Sequence, residues 1–345
     1  MGNMKTHRRQ SGAALLLALL IMTLVATLAA GMVWLQWRGI EVEAAERART
    51  QAEWLLNASL DWGNLILKSS IRNGDTEDDL GQPWATPLEE TKLSSFLSAD
   101  GSHSEDSGPE AYLSGQITDA TSKYNLYNLI VAPTESNGLT RTSEIQRLQI
   151  LCSAIGVSPD VASTIATGMR TSYSAQQRST NEPGQADSTN SALMPISVSD
   201  LTWFGIDPKV VKQLEPFVQL IPLTATSPPS TININTAPAE VLMAGQGAQP
   251  PITRAQAAQA ILQRQSKPVD AKGIPSALGL ANAGGGEYPP DAPKPILAVT
   301  SQYFEIYGQL RYEQHVIRER SVVYRKDQFS PIQVLRRERL PPDPA

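Results

Sequence analysis

The side chains able to do chemistry in this 345-residue chain are few and scattered. His7, His103 and His315 lie in three separate parts of the chain, so the close imidazole spacing of a zinc or histidine-based catalytic site does not form. Cys152 is the only cysteine, which excludes an intrachain disulfide and a thiolate metal cage; its ordinary role is that of a small buried apolar side chain. Neither a Gly-x-Ser-x-Gly nucleophile elbow nor a His-Glu-x-x-His metal pair occurs. Gly284-Gly285-Gly286 lacks the strand, the Lys and the Ser/Thr of a phosphate loop, and Pro289, Pro290 and Pro293 follow it, so it reads as linker. The carboxylates show no recurrent spacing that would pair an acid with a base. The sequence is therefore read as that of a protein that is not an enzyme, and its net charge of -5 argues against a polyanion-binding chain.

One segment has the density of a recognition element: Thr231-Ile-Asn-Ile-Asn-Thr-Ala-Pro-Ala-Glu-Val-Leu242. Ile-Asn-Ile-Asn-Thr-Ala also opens the helix-hairpin-helix units of DNA-uptake proteins, whose hairpin glycines bring backbone amides to phosphate. Here a helix from about Pro238 to Ala244 is followed by Gly245-Gln-Gly-Ala-Gln-Pro-Pro-Ile252, in which Pro250 and Pro251 break the hairpin pattern. Arg254 and Arg264 are the few cations nearby. A second helix starts at Thr253, where Thr253 and Gln256 form a capping box. A helical packing module accounts for these features better than a phosphate site.

The elements that carry this module begin with an unusual N-terminus. Lys5, His7, Arg8 and Arg9 precede Ser11-Gly12, and an uncharged run then extends from Ala13 to Leu35. That run matches the roughly 20 residues needed to cross the hydrocarbon core of a bilayer. The basic flank places the start in the cytoplasm and everything after Trp37 outside it. A secretory signal cut near Ala29 or Ala30 fits less well, because the apolar run is long and Leu28 occupies the position where a small residue is required. From Ala45 onward, Ala48, Ala52, Leu55, Ser59, Trp62 and Ile66 recur at helical spacing, with Glu46, Arg49, Glu53, Asn57, Asp61, Asn64 and Lys68 on the other side. Joined to the apolar run, this predicts one helix from Ala13 to about Ser70, roughly 85 Å long at 1.5 Å per residue.

Beyond Asn73-Gly74-Asp75 the stretch to Gly108 reads as loop with one turn of helix, and apolar patches at Leu93, Phe96 and Leu97. Alternation predicts strands over Tyr112 to Thr118, around Phe304, Ile306, Leu310 and Tyr312, over Val316 to Tyr324, and over Ile332 to Leu335. The first would join the later ones in one sheet if the stretch between folded separately. That stretch is helical: Ile145, Leu148, Leu151, Cys152 and Ile155 have helical spacing, and Ser158-Pro159 and Asp207-Pro208 each set a capping residue before a first-turn Pro. The polar run from Ser172 to Ser191 reads as a loop between two helical groups.

On these residues the chain resembles a known family. A short basic leader ending in Gly12, with the apolar helix retained, is similar to the leader of type IV pilins and pseudopilins. The resemblance implies cleavage by a prepilin peptidase between Gly12 and Ala13 and N-methylation of Ala13. Most members carry Glu at the fifth mature position, whereas this chain has Leu17, as the K-type minor pseudopilins of type II secretion systems do. A carboxylate in an apolar bundle is costly unless paired, and a tip subunit has no subunit ahead of it to pair with. The Asn-rich element at 231–242 is similar to that family's, and Lys123-Tyr-Asn-Leu-Tyr-Asn-Leu129 to its first such element.

The resemblance implies an α+β fold in which a long N-terminal pilin-like helix packs on an antiparallel sheet, with a large inserted all-α region. The expected divisions are a leader at 1–12, a transmembrane and amphipathic helix at 13–72, a pseudopilin head from 73–122 and 298–345, and an insertion at 123–297. The insertion would hold two units like sterile-alpha-motif domains, 123–220 and 221–297. Site residues implied are Gly12 and Ala13 for processing, Leu17 for the tip position, and Asn233, Asn235, Thr236, Pro238 and Glu240 for the helical motif. The implied partners are other minor pseudopilins of the I, J and H types, the prepilin peptidase, the inner-membrane assembly platform and membrane lipid, with no nucleic acid. The implied location is the bacterial inner membrane, single-pass, with the head in the periplasm. No cofactor is expected. Calcium is known in the family, but its acidic, Trp-containing segment is replaced here by Arg170-Thr-Ser-Tyr-Ser-Ala-Gln, so no metal ligands are assigned. A minor pilin of a surface type IV pilus shares the leader and is the alternative, followed by a membrane-anchored DNA-binding protein.

Overall fold

A computed structural model describes residues 11–72, 76–92, 111–130, 141–181, 192–223, 229–247, 251–280, 295–312, 315–327 and 329–341. The patches at Leu93, Phe96 and Leu97, the linker glycines at 284–286 and the polar run at 182–191 lie outside them. In chain order the helices are α1 (Ser11–Arg72), α2 (Arg141–Ala154), α3 (Asp160–Asn181), α4 (Pro208–Leu214), α5 (Ala239–Gln246), α6 (Arg254–Ser266) and α7 (Ile274–Ala277). The strands are β1 (Leu88–Lys92), β2 (Ala111–Asp119), β3 (Tyr124–Asn125), β4 (Val218–Gln219), β5 (Ile232–Asn233), β6 (Leu297–Ala298), β7 (Tyr303–Tyr312), β8 (His315–Tyr324) and β9 (Gln333–Leu340).

The chain divides into two units at Asn57. The N-terminal unit is the first part of α1. It is the one helix among the described residues long and apolar enough to cross a membrane, with a mean hydropathy of 2.6 over its most apolar window. Thr23 and Thr27 do not interrupt it, because each hydroxyl donates back to a carbonyl three residues earlier, Leu20 and Leu24.

In the second unit, five antiparallel strands form one sheet in the order β1-β2-β7-β8-β9. β2 pairs with β7 over its whole length, from Ala111 opposite Tyr312 to Asp119 opposite Phe304. The strand near residue 115 thus joins those after 300, as the alternation predicted. The sheet's core cluster comprises Leu60 and Leu67 of α1 with Trp84, Ile117, Phe304, Ile306 and Val323. Trp84 and Phe304 meet edge to face at 5.2 Å, a favoured arrangement of ring quadrupoles.

The buried stripe of α1 differs from the one read off the sequence. In the second unit, Leu60, Gly63, Leu67 and Ser70 are the buried positions, whereas Ser59 and Ile66 are half-buried and Trp62 is 38% exposed. Both stripes are apolar at helical spacing, and the sheet selects between them by close approach. A Cβ on Gly63 would sit only 3.3 Å from the Ile306 side chain, so the helix crosses the sheet at its residue without a side chain. Beside that crossing is a cavity of about 390 Å³ lined by Trp62, Ile66, Trp84, Leu113, Ile117 and Ile306.

Two further differences have physical causes. β1, expected as loop, is a strand whose Leu88-Glu-Glu-Thr-Lys92 sequence offers no apolar alternation, because an edge strand with solvated faces needs none. Residues 172–181, expected as loop, continue α3. No Pro or Gly interrupts the run, the hydroxyls of Thr171 and Ser174 are satisfied by the carbonyls of Thr167 and Arg170, and Ser172 is buried, so the helix continues although its apolar period fades.

The remaining helices surround a second core that runs from Tyr124 to Val299. Two of the caps read from sequence are formed: Asp207 accepts from the Lys209 amide ahead of Pro208, and Thr253 and Gln256 make a reciprocal capping box, while Ser158 accepts from the Asp160 amide only at 3.4 Å. Two parallel two-residue ladders close the region, β3 with β4 and β5 with β6.

Candidate functional site

The Asn-rich motif sits at the junction between the sheet and the helical region. Asn233 ends β5, and its ladder with β6 pairs it with Ala298, a few residues before β7 begins. This puts an amide side chain where three chain segments converge. Asn233 Nδ2 donates to the Asp78 carbonyl at 2.8 Å, to Asp119 Oδ2 at 3.0 Å and to Ser301 Oγ at 2.8 Å, and its Oδ1 accepts from the Asn235 amide at 2.9 Å.

Asp119 is the last residue of β2 and lies fully inside. Its carboxylate accepts from the Thr236 hydroxyl at 2.6 Å, the Ser301 hydroxyl at 2.5 Å, and both the amide and hydroxyl of Thr121 at 2.7 Å. Burial raises its pKa, and these donors offset the rise only in part. A few ångströms on, Asp78 is paired with Arg325, which follows β8, at 2.6 and 2.7 Å. The same guanidinium donates to the carbonyl of Ser301 and, through its other nitrogen, to the Leu67 carbonyl and Ser70 hydroxyl of α1. Arg325 also lies 4.5 Å over the Phe304 ring. Both members of the pair are buried, where losing one partner would leave an uncompensated charge.

The other motif residues have structural duties. Asn235 clamps the backbone of Val269, donating to its carbonyl at 3.0 Å and accepting from its amide at 2.8 Å. Pro238 is the N-cap of α5, and Glu240 in its first turn pairs with Arg254. Arg264 donates to the carbonyls of Ile234 and Ala237, and burial lowers its pKa to about 10. Of the two cations that a phosphate site would need, Arg264 is thus engaged with backbone carbonyls, and Arg254 is paired with Glu240 at the surface. The Gly245 carbonyl accepts from the Ile296 amide and from Arg147. Arg147 is itself buried against Glu144, which in turn accepts from the Tyr124 hydroxyl at 2.8 Å.

Gly12 and Ala13 lie in the first turn of α1, and Leu17 is 62% exposed on its apolar segment. The structure therefore separates the predicted residues into Ala13 and Leu17, exposed on α1, and a motif in which Asn233, Asn235 and Thr236 are buried and Pro238 and Glu240 half-buried. Sequence reading missed Asp78, Asp119, Ser301 and Arg325, which lie far apart in sequence and meet only in three dimensions. The described residues contain no group of three or more His, Cys, Asp or Glu placed to hold a metal ion. The two junction carboxylates are already saturated by protein donors, so these residues do not fit a calcium site.

No family model matches the chain. It is 26% identical over 238 residues to the type II secretion system protein K of Pectobacterium carotovorum, spanning 66% of this chain and 67% of that one. It is 24% identical over 252 residues to the protein of the same name from Pseudomonas aeruginosa, spanning 69% and 68%. In fold it is similar to a chain of the GspK-GspI-GspJ complex of the enterotoxigenic Escherichia coli type 2 secretion system, with a TM-score of 0.58 and 19% identity over 86% of this chain and 99% of that one. With its long apolar N-terminal helix, five-stranded antiparallel sheet and inserted helices, the chain is a homologue of the type II secretion system K proteins, the minor pseudopilins it resembles in sequence.

Proposed function

We propose that this chain is a tip subunit that initiates a short periplasmic pseudopilus for export of folded proteins across the outer membrane. In this reading it is held in the inner membrane by a single span and trimmed between Gly12 and Ala13. It then joins I-, J- and H-type minor pseudopilins through α1. The observation that carries the reading is the continuity of α1, which passes without a break from an apolar segment of membrane-spanning length into the core of the sheet. A retained helix of this kind serves as anchor and assembly rod together. A helical insertion at 123–297, in two units like sterile-alpha-motif domains, would widen the head enough to stop further subunits from stacking above it. The relative of known structure was solved with I and J partners, which supports the choice of partners.

Mass spectrometry of the mature N-terminus tests the processing: the expected product begins with methylated Ala13. A product starting near residue 31 and free in the periplasm would end this reading. Co-purification of the full-length protein with I- and J-type partners tests assembly, and its deletion should abolish enzyme secretion while leaving twitching motility intact. The reverse phenotype would favour a minor pilin of a type IV pilus.

A further inference from the structure

The sheet has two edges, and they are built differently. β1 is short, and its register shifts between Leu88 and Thr91, a device that blunts pairing. β9 is longer, running for eight residues with exposed Gln333, Val334 and Leu335; among the described residues its ladder partner is β8, and its register shifts once, between Val322 and Val323, so its length and charge rather than a regular register set it apart from β1. Within β9, Arg336, Arg337 and Arg339 stand against the single acid Glu338. Cross-strand pairs fix part of this array, Arg337 with Glu319 and Arg320 with Glu338. Arg336 instead donates to a neutral acceptor, the Ile196 carbonyl, which leaves its charge uncancelled by that bond.

At the hairpin between β8 and β9, Asp327 accepts from the amides of Phe329 and Ser330 and from the Ser330 hydroxyl. This turn holds Phe329 outward at 86% exposure, beside the start of the β9 edge. A long edge supplies backbone donors and acceptors, and an exposed aromatic ring supplies an apolar anchor; together these are the parts used in strand addition. The arginines decide the partner. A second copy of β9 would bring like charges face to face, whereas a strand carrying Asp or Glu would be complementary.

We propose that β9 is a docking edge for an extended acidic segment of another polypeptide, which adds as a sixth strand with an apolar side chain against Phe329. The proposal does not depend on where the subunit sits in a fibre. An anionic lipid surface is the less fitting occupant, because it cannot satisfy a row of backbone amides and carbonyls.

The test uses the full-length protein in detergent and a fluorescein-labelled peptide of alternating Val and Glu, of the same length as β9, read by fluorescence anisotropy. Saturable binding is expected, with slower amide hydrogen exchange at residues 333–340. Affinity should fall by about tenfold or more for Arg336→Glu with Arg339→Glu, as for loss of complementary charges, and measurably for Phe329→Ala. Phe329 and Arg339 are exposed and Arg336 half-buried, and a thermal melt of each variant confirms that it is folded. Alternating Val and Lys should not bind. Three results would overturn the proposal: no binding, equal binding by a backbone N-methylated peptide, or equal displacement by oligoglutamate or phosphatidylglycerol micelles, which would mark a general anion surface.

Discussion

The two Asn-bearing elements of the helical region look alike in sequence and use the same local device, yet they connect different things. In the first, Asn125 donates to the Ile221 carbonyl and accepts the Ile221 amide, and Asn128 does the same with Ser230. In the second, Asn235 clamps Val269 in this way, but Asn233 turns its amide toward Asp78, Asp119 and Ser301. Each amide replaces a missing backbone partner, which is how a short strand end stays satisfied inside a core. The first element therefore ties the helical region to itself. The second ties it to the sheet, and through Asp78 and Arg325 to the end of α1. A similar motif can thus serve as internal staple or as weld, depending on what the third dimension brings alongside.

That contrast can be broken in order of expected effect. Arg325→Leu removes the cation from buried Asp78 and the donor to Leu67 and Ser70, and should destabilise the head by about 3–5 kcal/mol, measured by chemical denaturation of the full-length protein in detergent. A loss under about 1 kcal/mol would mean that the ion pair does not hold the junction. Asn233→Ala strips donors from the junction and should cost about 1–3 kcal/mol. Its distinguishing sign is faster amide exchange at Asp78 and Ser301, on the sheet side. Asn125→Ala should cost no more than that, with faster exchange confined to Ile221 and Tyr127; spreading to Asp78 would erase the difference between staple and weld.

The smallest effect concerns pH. Because the Asp119 pKa is raised above its ordinary 3.8 by burial, the native state holds that proton longer than the unfolded chain. Stability from this group is then fully present below the unfolded value and is lost as pH rises through the native one. Wild type should accordingly lose stability relative to Asp119→Asn as pH increases through that window. Parallel pH profiles for the two proteins would show that Asp119 does not titrate differently on folding.

Much of the architecture is legible in the sequence itself. The apolar run from Ala13 to Leu35, the capping residues at Asp207 and Thr253, and the alternation at Phe304 and Ile306 are local signals, because periodicity and caps depend on neighbours within a turn or two of chain. The same locality explains the errors. Which of two apolar stripes on α1 is buried was set by Gly63 meeting Ile306, a contact across the fold. β1 and the end of α3 carry no apolar period because most of their side chains face solvent.

Asn233 could be marked as special from its motif, but its partners could not be named. Asp78, Asp119, Ser301 and Arg325 have nothing in their neighbourhoods to set them apart, and they become a site only when the ladders β2–β7 and β5–β6 bring them to one point. The sequence alone determined that a long apolar helix precedes strands at both ends of the head with a helical stretch between them, since these follow from hydrophobic pattern; that the strands share one sheet around that stretch was implied by the family resemblance and decided by the tertiary structure. Only the tertiary structure decided which polar side chains are removed from water together, and it is that shared burial which gives the junction its strength.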